Sequence, residues 1–431
     1  MKKFFLHTMG CKSNQFEGEL IEQKLIEAGL TRTENLLEAD YYILNSCSVT
    51  HKSDNEAMYL IRNAKHKNPN LITVITGCIA QTEKEELLEK DYIDCILGNN
   101  DKFKIADILE NLSPNKQLCI ASDIMHLTEF NEQPLIDTQK TRASLKIQDG
   151  CDSRCAYCII PYARGKSRSA SPEFIIKQIK KLEDKGFHEV VFTGIHIGQW
   201  GKEWNLELLD LLKSVESDTD IHRYRLGSLN PTEITDELLD FLSKSQKFCP
   251  HFHLSLQSAC NETLRSMNRF YTVEKYLEQI KKINSLFNMP FLGSDIIAGF
   301  AGETDTDFQT TVSNLKKSDL TQIHTFPYSI RKGTKGSLIP NQIDEKTKEE
   351  RTQIIKQISA DKYHNFLKKN IGYTREILVE KNPDKHNNML KGVTDNYLTV
   401  HLSTDNKVFK NTIQKVYIKE ITDNKLYGDI V

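Results

Sequence analysis

Three cysteines in the middle of the chain have a spacing that suits a metal cluster. Cys151, Cys155 and Cys158 form a C-x3-C-x2-C loop directly after a predicted strand. A four-iron cluster held by three thiolates keeps one iron open for an exogenous chelate. Structural zinc instead takes four protein ligands, and His196 or His253 would then supply the fourth. We therefore expect an open iron–sulfur cluster in this loop, with zinc as the alternative.

A second set of three cysteines is spread over the N-terminal part of the chain. Cys11 in TMGCKSNQ, Cys47 in LNSCSVT and Cys78 in TGCIAQ stand at equivalent ends of three predicted parallel strands. Adjacent strands lie about 4.8 Å apart, so the three thiols would meet at one edge of the sheet. A second cluster with an open iron is expected there. The alternative is three unrelated buried cysteines.

The remaining cysteines lack this partnered placement, and we assign them to packing. They are Cys95, Cys119, Cys249 and Cys260.

The sequence contains no signal for export or for a membrane. The N-terminal apolar run breaks at His7 and lacks a cleavage site. No apolar stretch approaches the roughly 20 residues that span a bilayer, so we expect a cytoplasmic protein. Disulfides are rare in that reducing compartment, and the ten cysteines therefore indicate metal or redox chemistry.

Length and charge limit the possible architectures and partners. With 431 residues the chain is long enough for two or three domains. Its charged side chains nearly cancel, to a net charge of −2. No global field therefore indicates nucleic-acid or membrane binding, and any RNA site must be a local patch.

The pattern of residues 1–127 predicts an open parallel α/β domain. Strands are expected at 3–8, 41–47, 72–78 and 93–97, separated by helices such as 17–28 and 54–66. Open parallel sheets bind ligands at the carboxyl ends of their strands, where the N-terminal cysteines stand. The polar segment 128–141 is expected to be a linker.

A second α/β domain is predicted over residues 142–370. Its strands are expected at 143–148, 189–193, 222–228, 251–257, 292–297 and 322–328. The helices that alternate with them are expected at 172–185, 206–216, 235–244, 273–287 and 305–318, and a long charged helix at about 344–370 follows. Six βα units predict an open, partial barrel. The short runs 374–380, 389–393, 396–402 and 413–420 then predict a small β-barrel over 371–431.

The central loop resembles the signature of the radical S-adenosylmethionine (SAM) superfamily, with Tyr157 before its last cysteine. Members of that superfamily place the loop after the first strand of a partial (βα)6 barrel. The resemblance implies that SAM chelates the open iron and is cleaved to a 5′-deoxyadenosyl radical. It also implies SAM contacts at Thr193, Gly194, Gln257 and Asp295, which stand at strand ends. A glycine there also fits a simple strand-to-loop turn.

The whole chain resembles the methylthiotransferases, which combine an N-terminal cysteine-triad domain, a radical SAM domain and a small C-terminal β-domain. The resemblance implies two 4Fe-4S clusters. The cluster on Cys11, Cys47 and Cys78 would carry the sulfur to be inserted, and one SAM would donate a methyl group to it. A second SAM, cleaved at the central cluster, would supply the radical that removes hydrogen from the substrate carbon. An electron donor such as flavodoxin or ferredoxin and a sulfur source are also implied, and we expect a monomer.

The sequences of the motifs resemble those of the methylthiotransferase type that acts on tRNA bearing threonylcarbamoyladenosine. The relevant segments are MGCKSNQ, NSCSVTHKSD, IQDGC, IIPYARGKSRS, FTGIHIGQWG and RLGSLNPTEI. The alternatives are the types that act on isopentenyladenosine in tRNA or on an aspartate of a ribosomal protein. Ala259 and Ala301 depart from the family pattern, which commonly has glycine and proline there. A non-enzymatic alternative is a zinc-stabilised RNA-binding module.

Contacts to tRNA are expected from local basic clusters, because phosphate neutralisation supplies much of the binding free energy. Arg164, Lys166 and Arg168 follow the central loop, and Arg265 and Arg269 offer a second patch. The first run also fits an ordinary solvated loop. The tail from about 371 resembles a TRAM domain, a small RNA-binding β-barrel. Its compatible side chains are Lys381, Lys385, Lys391 and Tyr397.

Overall fold

Three units follow one another along the chain in the computed structural model, which describes residues 1–112, 117–134, 138, 140–404 and 409–431. Residues 135–137 and 139 of the predicted linker lie outside the described residues. No helix in the described part of the chain is long and apolar enough to cross a membrane.

The N-terminal unit is a six-stranded parallel sheet with the order β2-β1-β3-β4-β5-β6. Its strands are β1 (Lys3–Thr8), β2 (Thr31–Arg32), β3 (Tyr41–Ser46), β4 (Ile72–Gly77), β5 (Cys95–Leu97) and β6 (Leu118–Ile120). Its helices are α1 (Lys12–Glu27), α2 (His51–Lys67), α3 (Cys78–Thr82), α4 (Lys84–Leu88) and α5 (Ile105–Glu110). Every residue of β3 and β4 is buried, as expected for central strands covered by helices on both faces.

The register of this sheet aligns the ends of its three central strands. Thr8 at the end of β1 pairs with Asn45, and Ser46 at the end of β3 pairs with Gly77 at the end of β4. The chain leaves all three strands at the same edge. Parallel pairing therefore places the residues that follow β1, β3 and β4 next to one another.

The central unit is a partial barrel of parallel strands. Two sheets form it, with the orders β11-β10-β7 and β12-β13-β14-β15. The strands are β7 (Ala143–Lys146), β10 (Glu189–Thr193), β11 (Arg223–Leu226), β12 (Ser228–Leu229), β13 (His251–Leu254), β14 (Phe291–Ala298) and β15 (Gln322–Pro327), and a small antiparallel pair consists of β8 (Gln148–Asp149) and β9 (Arg168–Ser169). Because β12 follows β11 after one residue, the barrel has six strand positions, as predicted.

Helices alternate with these strands and cover the outside of the barrel. They are α7 (Pro172–Asp184), α8 (Leu208–Asp218), α9 (Asp236–Lys244), α10 (Asn261–Ser266), α11 (Val273–Leu286), α12 (Asp305–Lys317) and α13 (Glu345–Lys369). The short helix α6 (Ile160–Arg164) follows the cysteine loop and packs against α3 instead. The amphipathic helix α7 illustrates the packing, since Ile175, Ile179 and Leu182 lie in the main hydrophobic core. The helices leave the strand ends open for the site.

The C-terminal unit is a closed five-stranded barrel with the order β16-β17-β18-β20-β19. Its strands are β16 (Thr374–Val379), β17 (Lys391–Thr394), β18 (Thr399–Leu402), β19 (Ile413–Thr422) and β20 (Lys425–Ile430). Strand β20 was not predicted, and its hairpin with β19 closes the barrel. The predicted α/β class, the partial (βα)6 barrel and the small C-terminal β-barrel are confirmed.

Candidate functional site

The loop that carries Cys151, Cys155 and Cys158 joins β8 to α6 and folds back on itself. The backbone N–H of Cys158 donates to the carbonyl of Cys155 over 3.1 Å. Gly150 enters the loop with a φ of 72°, and a Cβ there would lie 1.9 Å from the carbonyl oxygen of Lys166. A glycine is required at that position. The loop holds its three thiols at half-buried positions.

Two nitrogen groups approach these sulfur atoms. Nδ1 of His196 lies 3.3 Å from Sγ of Cys151, and Nη1 of Arg269 donates to Sγ of Cys155 over 3.5 Å. Burial raises the pKa of Cys151, but the hydrogen bond with His196 brings it below the ordinary value. Burial and the neighbouring Cys155 raise the pKa of Cys158 to about 12. Such a thiol ionises when a cation binds it, as an iron atom of a cluster would.

His196 belongs to a polar network that spans the loop. Its Nε2 contacts the carboxylate of Glu233 and the amide of Asn230, and Asn230 Oδ1 accepts from Arg269 over 2.5 Å. Burial lowers the pKa of His196, but its hydrogen bonds with Cys151 and Glu233 raise it to about 9. The sequence suggested His196 only as a zinc ligand, and it gave no role to Glu233 and Asn230. Their position in RLGSLNPTEI, a segment already singled out, was the available signal.

The segment after β10, where SAM contacts were predicted, wraps around Gln148. Oε1 of Gln148 accepts from the backbone N–H of Ile195 over 3.1 Å and of His196 over 2.7 Å. A Cβ on Gly194 would lie 2.9 Å from the Gln148 carbonyl oxygen, so the close approach requires glycine. Thr193 is buried beside it. The contact of Thr193 and Gly194 with SAM stays a prediction.

A cavity of about 180 Å³ opens beside Cys158. Gln257 and Asp295, the other two predicted SAM contacts, line it together with residues 49–50, which follow Cys47. Gln257 has a φ of 73°, and its N–H donates to the carbonyl of Asp295 over 2.8 Å. Left-handed conformations of residues other than glycine cost free energy and are concentrated at functional sites. The cavity joins the two predicted cluster regions.

The N-terminal cysteines lie together at the carboxyl edge of their sheet. Cys11 caps α1, Cys47 follows β3 and Cys78 is the first residue of α3. A Cβ on Gly10 would lie 2.7 Å from Sγ of Cys47, so the loop before Cys11 touches the second cysteine. Burial and the neighbouring Cys78 raise the pKa of Cys47 to about 12. The three cysteines that hold one 4Fe-4S cluster must lie together in this way.

A buried group of six charged residues lies between the two cysteine sets. The Nε atom of Arg164 is buried without a hydrogen-bond partner. Burial raises the pKa of Cys11 and Cys47, and the charge of Arg164 opposes that rise. Four cations therefore face two carboxylates, and the excess positive charge lies beside the N-terminal thiols. Three thiolates on a cluster would offset it. The six residues are Glu17, Lys102, Lys146, Asp149, Arg164 and Arg168.

The zinc alternative finds no geometric support. In the described ranges, no three His, Cys, Asp or Glu side chains converge as one metal ion requires. Zinc needs all its ligands on a single ion, whereas each cysteine of a 4Fe-4S cluster binds a different iron. His253 instead contacts Ser228 Oγ over 2.8 Å and Asp295 over 3.3 Å.

The basic residues predicted for tRNA do not form the surface patches that we expected. Arg164 and Arg168 are 1% and 4% exposed, because they point inward to the buried carboxylates. Arg269 is half-buried and contacts the central loop. Lys166 and Arg265 are exposed, and their role in RNA binding stays a prediction.

The four cysteines assigned to packing fit that assignment. Cys95, Cys249 and Cys260 are buried, and Cys119 is half-buried. Burial raises the pKa of Cys95 to about 12 and that of Cys249 to about 11. The thiols of Cys95 and Cys249 therefore remain protonated.

Two sequence families match separate parts of the chain. Residues 3–98 match an uncharacterized protein family, UPF0004. Residues 145–315 match the Radical SAM superfamily. The solved structure of the radical S-adenosylmethionine methyltransferase TsrM from Kitasatospora setae, with cobalamin and a 4Fe-4S cluster bound, has a TM-score of 0.52 at 13% identity and covers 76% of this chain and 75% of that chain. This similarity extends to the fold alone.

Curated relatives match nearly the full length. The chain is 35% identical over 412 residues to the threonylcarbamoyladenosine tRNA methylthiotransferase MtaB of Bacillus subtilis, covering 94% of this chain and 90% of that protein. It is 36% identical over 401 residues to the MtaB protein of Aquifex aeolicus, covering 92% and 96%. It is 33% identical over 404 residues to the tRNA-2-methylthio-N(6)-dimethylallyladenosine synthase of Clostridium botulinum, covering 91% and 89%.

Proposed function

Since this chain belongs to the radical SAM tRNA methylthiotransferase family, we propose that it converts N6-threonylcarbamoyladenosine next to the anticodon to its 2-methylthio derivative. The motif sequences support this substrate, as do the names of two relatives at 35% and 36% identity. A 33% identical relative named as a dimethylallyladenosine synthase supports isopentenyladenosine as the second candidate. We further propose that two 4Fe-4S clusters serve the reaction.

The observation that carries the two-cluster proposal is the closeness of the two cysteine sets. Helix α6 starts just after Cys158 and packs against α3, which starts at Cys78. Nδ2 of Asn99 bridges them, since it donates to the carbonyl of Ala163 over 2.7 Å and lies 3.9 Å from Sγ of Cys78. An unactivated aromatic C–H bond needs both a radical generator and a sulfur donor within reach. The closeness of the two cysteine sets supports a radical generator and a sulfur donor in one site.

The chain's own residues would bind and orient the reacting groups and would exclude water from them. When bound, SAM at Cys151, Cys155 and Cys158 would supply the hydrogen-abstracting radical, and the cluster at Cys11, Cys47 and Cys78 would supply the sulfur. His196 and Arg269 orient the first set of thiols through their hydrogen bonds. The backbone around Gly194 lies close to the loop.

The cavity beside Cys158 would hold the reacting groups away from water. Gln257 and Asp295 supply polar groups on its wall, whereas Ile297, Phe326 and Tyr328 contribute apolar surface. Polar groups on a largely apolar wall fix the orientation of a bound molecule. We propose that Gln257 and Asp295 contact SAM in this way.

The proposed partners follow from the family. They are tRNA, a flavodoxin or ferredoxin as electron donor and a separate sulfur source, acting in the cytoplasm with a monomeric enzyme. Lys166 and Arg265 remain proposed RNA contacts, and the C-terminal barrel is the proposed RNA-binding domain over 371–431.

The substrate is tested with the anaerobically reconstituted enzyme, SAM, a reductant and purified tRNAs. The tRNA is then digested to nucleosides, which are separated and identified by mass spectrometry. We expect a methylthio group on threonylcarbamoyladenosine and none on isopentenyladenosine in a matched tRNA. Modification of isopentenyladenosine alone would support the second candidate. In a deletion strain without a paralogue, retention of 2-methylthio-threonylcarbamoyladenosine would also contradict the proposal.

A further inference from the structure

Three cations surround the ring of Tyr397 where the three units meet. The guanidinium carbon of Arg225 lies 5.3 Å from the ring centre, Nζ of Lys12 lies 5.7 Å away and the guanidinium carbon of Arg142 lies 5.8 Å away. Lys12 begins α1, Arg142 precedes β7, Arg225 lies in β11 and Tyr397 comes from the C-terminal barrel. Tyr397 has a φ of 69°, so its backbone is fixed in an unfavourable conformation.

Carboxylates neutralise this group only in part. Arg225 pairs with Glu189 over 2.8 Å. Arg142 reaches Glu380 only at 3.6 Å. No carboxylate of the described part of the chain forms an ion pair with Lys12. Glu189 also acts electrostatically on Lys12 and Arg142, but it is already shared between Arg223 and Arg225. Together with Glu380 it leaves these cations in excess, and an anionic group between Lys12 and Arg142 would be stabilised.

A cavity of about 460 Å³ lies against these two cations. Lys12, Arg142 and Tyr397 line it, together with Ser144, Asn382 and the carboxylate of Glu380. A volume of this order accommodates a small organic group, since ligand sites occupy several hundred Å³. The hydroxyl of Ser144 and the amide of Asn382 add hydrogen-bonding capacity. The cavity thus combines a positive end with polar walls.

A row of polar side chains starts at the cavity beside Cys158. Asp295, which lines the site beside Cys158, pairs with His253 over 3.3 Å. The rings of His253 and His324 are 5.7 Å apart. Burial lowers the pKa of His324, and the charges of His253 and Lys12 lower it further. Lys12 itself directly follows Cys11, so the cations of this cavity lie beside the N-terminal cysteines.

We propose that the cavity at Lys12, Arg142 and Tyr397 binds the carboxylate of the threonylcarbamoyl group on the substrate adenosine, and that these residues select this substrate. The inference rests on the proposed function. A carboxylate fits two facing cations, whereas the apolar isopentenyl group would leave both cations without an anionic partner. A site built for a charged group rejects a ligand without it, because its own buried charges are then left unpaired.

The test measures equilibrium binding to the full chain with its clusters, without turnover. Three anticodon stem-loops are compared, carrying threonylcarbamoyladenosine, its carboxylate methyl ester or isopentenyladenosine. The wild-type protein should bind the free acid about tenfold to a hundredfold more tightly than the ester. Arg142→Gln should bind the acid and ester equally, and Arg142→Lys should keep much of the preference. Arg62→Gln, which removes an exposed arginine from α2, should bind like the wild type.

The other possible binding results distinguish a failure of the carboxylate site from a failure of the proposed function. A preference for the free acid that survives in both Arg142→Gln and Lys12→Met would overturn this inference while leaving the proposed substrate intact. Weakening of all three stem-loops by the same factor, with a smaller salt dependence, would show that the site binds RNA phosphate instead. Tightest binding of the isopentenyl stem-loop would contradict the proposed function itself. The iron content of Lys12→Met is measured alongside, because Lys12 follows Cys11.

Discussion

Glu17 and Arg164 form a two-point ion pair between the N-terminal unit and the partial barrel. Oε1 and Oε2 of Glu17 accept from Nη1 and Nη2 of Arg164 over 2.7 and 3.0 Å. Both side chains are 1% exposed. Glu17 lies six residues after Cys11, and Arg164 lies six residues after Cys158. One buried pair therefore fixes the relative position of the two cysteine sets.

Glu17→Gln should strongly destabilise the protein. The carboxylate also pairs with Lys102 and Lys146, so its loss leaves three buried cations short of a counter-charge. Breaking a buried pair in this way costs about 3–5 kcal/mol. Urea unfolding of the reconstituted protein measures the change. Glu22→Gln on the same helix removes a more exposed pair with Arg32 and should cost under about 1 kcal/mol. Equal effects of the two substitutions would contradict the prediction.

Replacing either cysteine set by alanine should halve the iron content, from about eight irons to about four. The triple variant of Cys151, Cys155 and Cys158 should also lose SAM cleavage. The triple variant of Cys11, Cys47 and Cys78 should retain cleavage of SAM without product. Cys260→Ala, a buried cysteine outside both sets, is the control and should keep full iron. Zinc instead of iron after anaerobic reconstitution would exclude the two-cluster model.

Gln257→Gly should stabilise the fold and weaken SAM binding. A left-handed φ of 73° costs a residue with a Cβ about 1 kcal/mol more than glycine, while the side chain lines the cavity. Thermal unfolding and the Kd for SAM are measured together. Asn424→Gly, at a φ of 57° in the β19–β20 turn, should leave SAM binding unchanged. If Gln257→Gly binds SAM as the wild type does, Gln257 does not contact SAM.

The placement of the cysteines was predictable because it depends on local patterns. Apolar runs identify β1, β3 and β4, and the parallel arrangement brings the residues after them together. Each cysteine is within a few residues of its strand end, so no long-range information was needed.

The charged pairs between units were not predictable in this way. Glu17 and Arg164 are 147 residues apart, and their pairing depends on how α6 packs against the sheet. The run YARGKSRS has the composition of an exposed basic loop, yet Arg164 and Arg168 are buried by carboxylates from α1 and β8. Likewise, Glu189 and its arginines belong to apolar strand patterns that give no sign of the C-terminal barrel docked on them.

Acid should weaken the attachment of the C-terminal barrel through Glu189. This buried carboxylate accepts from Arg223 and Arg225, and those arginines donate to the barrel carbonyls of Val393 and Thr394 over 2.8 and 2.6 Å. Burial alone would raise the pKa of Glu189. The charges of Arg225 and Arg223 outweigh burial and lower this pKa from 4.5 to about 2. Because the folded pKa is depressed, the stabilisation is complete only well above pH 4.5. It declines as the unfolded carboxylate becomes protonated near pH 4.5, and it is lost as the pH falls toward 2.

The loss for this group should be about 1 kcal/mol between about pH 6 and about pH 4. Glu189→Gln removes the ionisable carboxylate. The free energy of unfolding of the variant should therefore be lower than that of the wild type at pH 6, and it should fall less steeply as the pH is lowered. The comparison of wild type and variant cancels any acid effect on the clusters. Glu237→Gln, an exposed carboxylate on α9, should keep the wild-type slope. Parallel pH profiles for the wild type and Glu189→Gln would show that this carboxylate does not couple the barrel to pH.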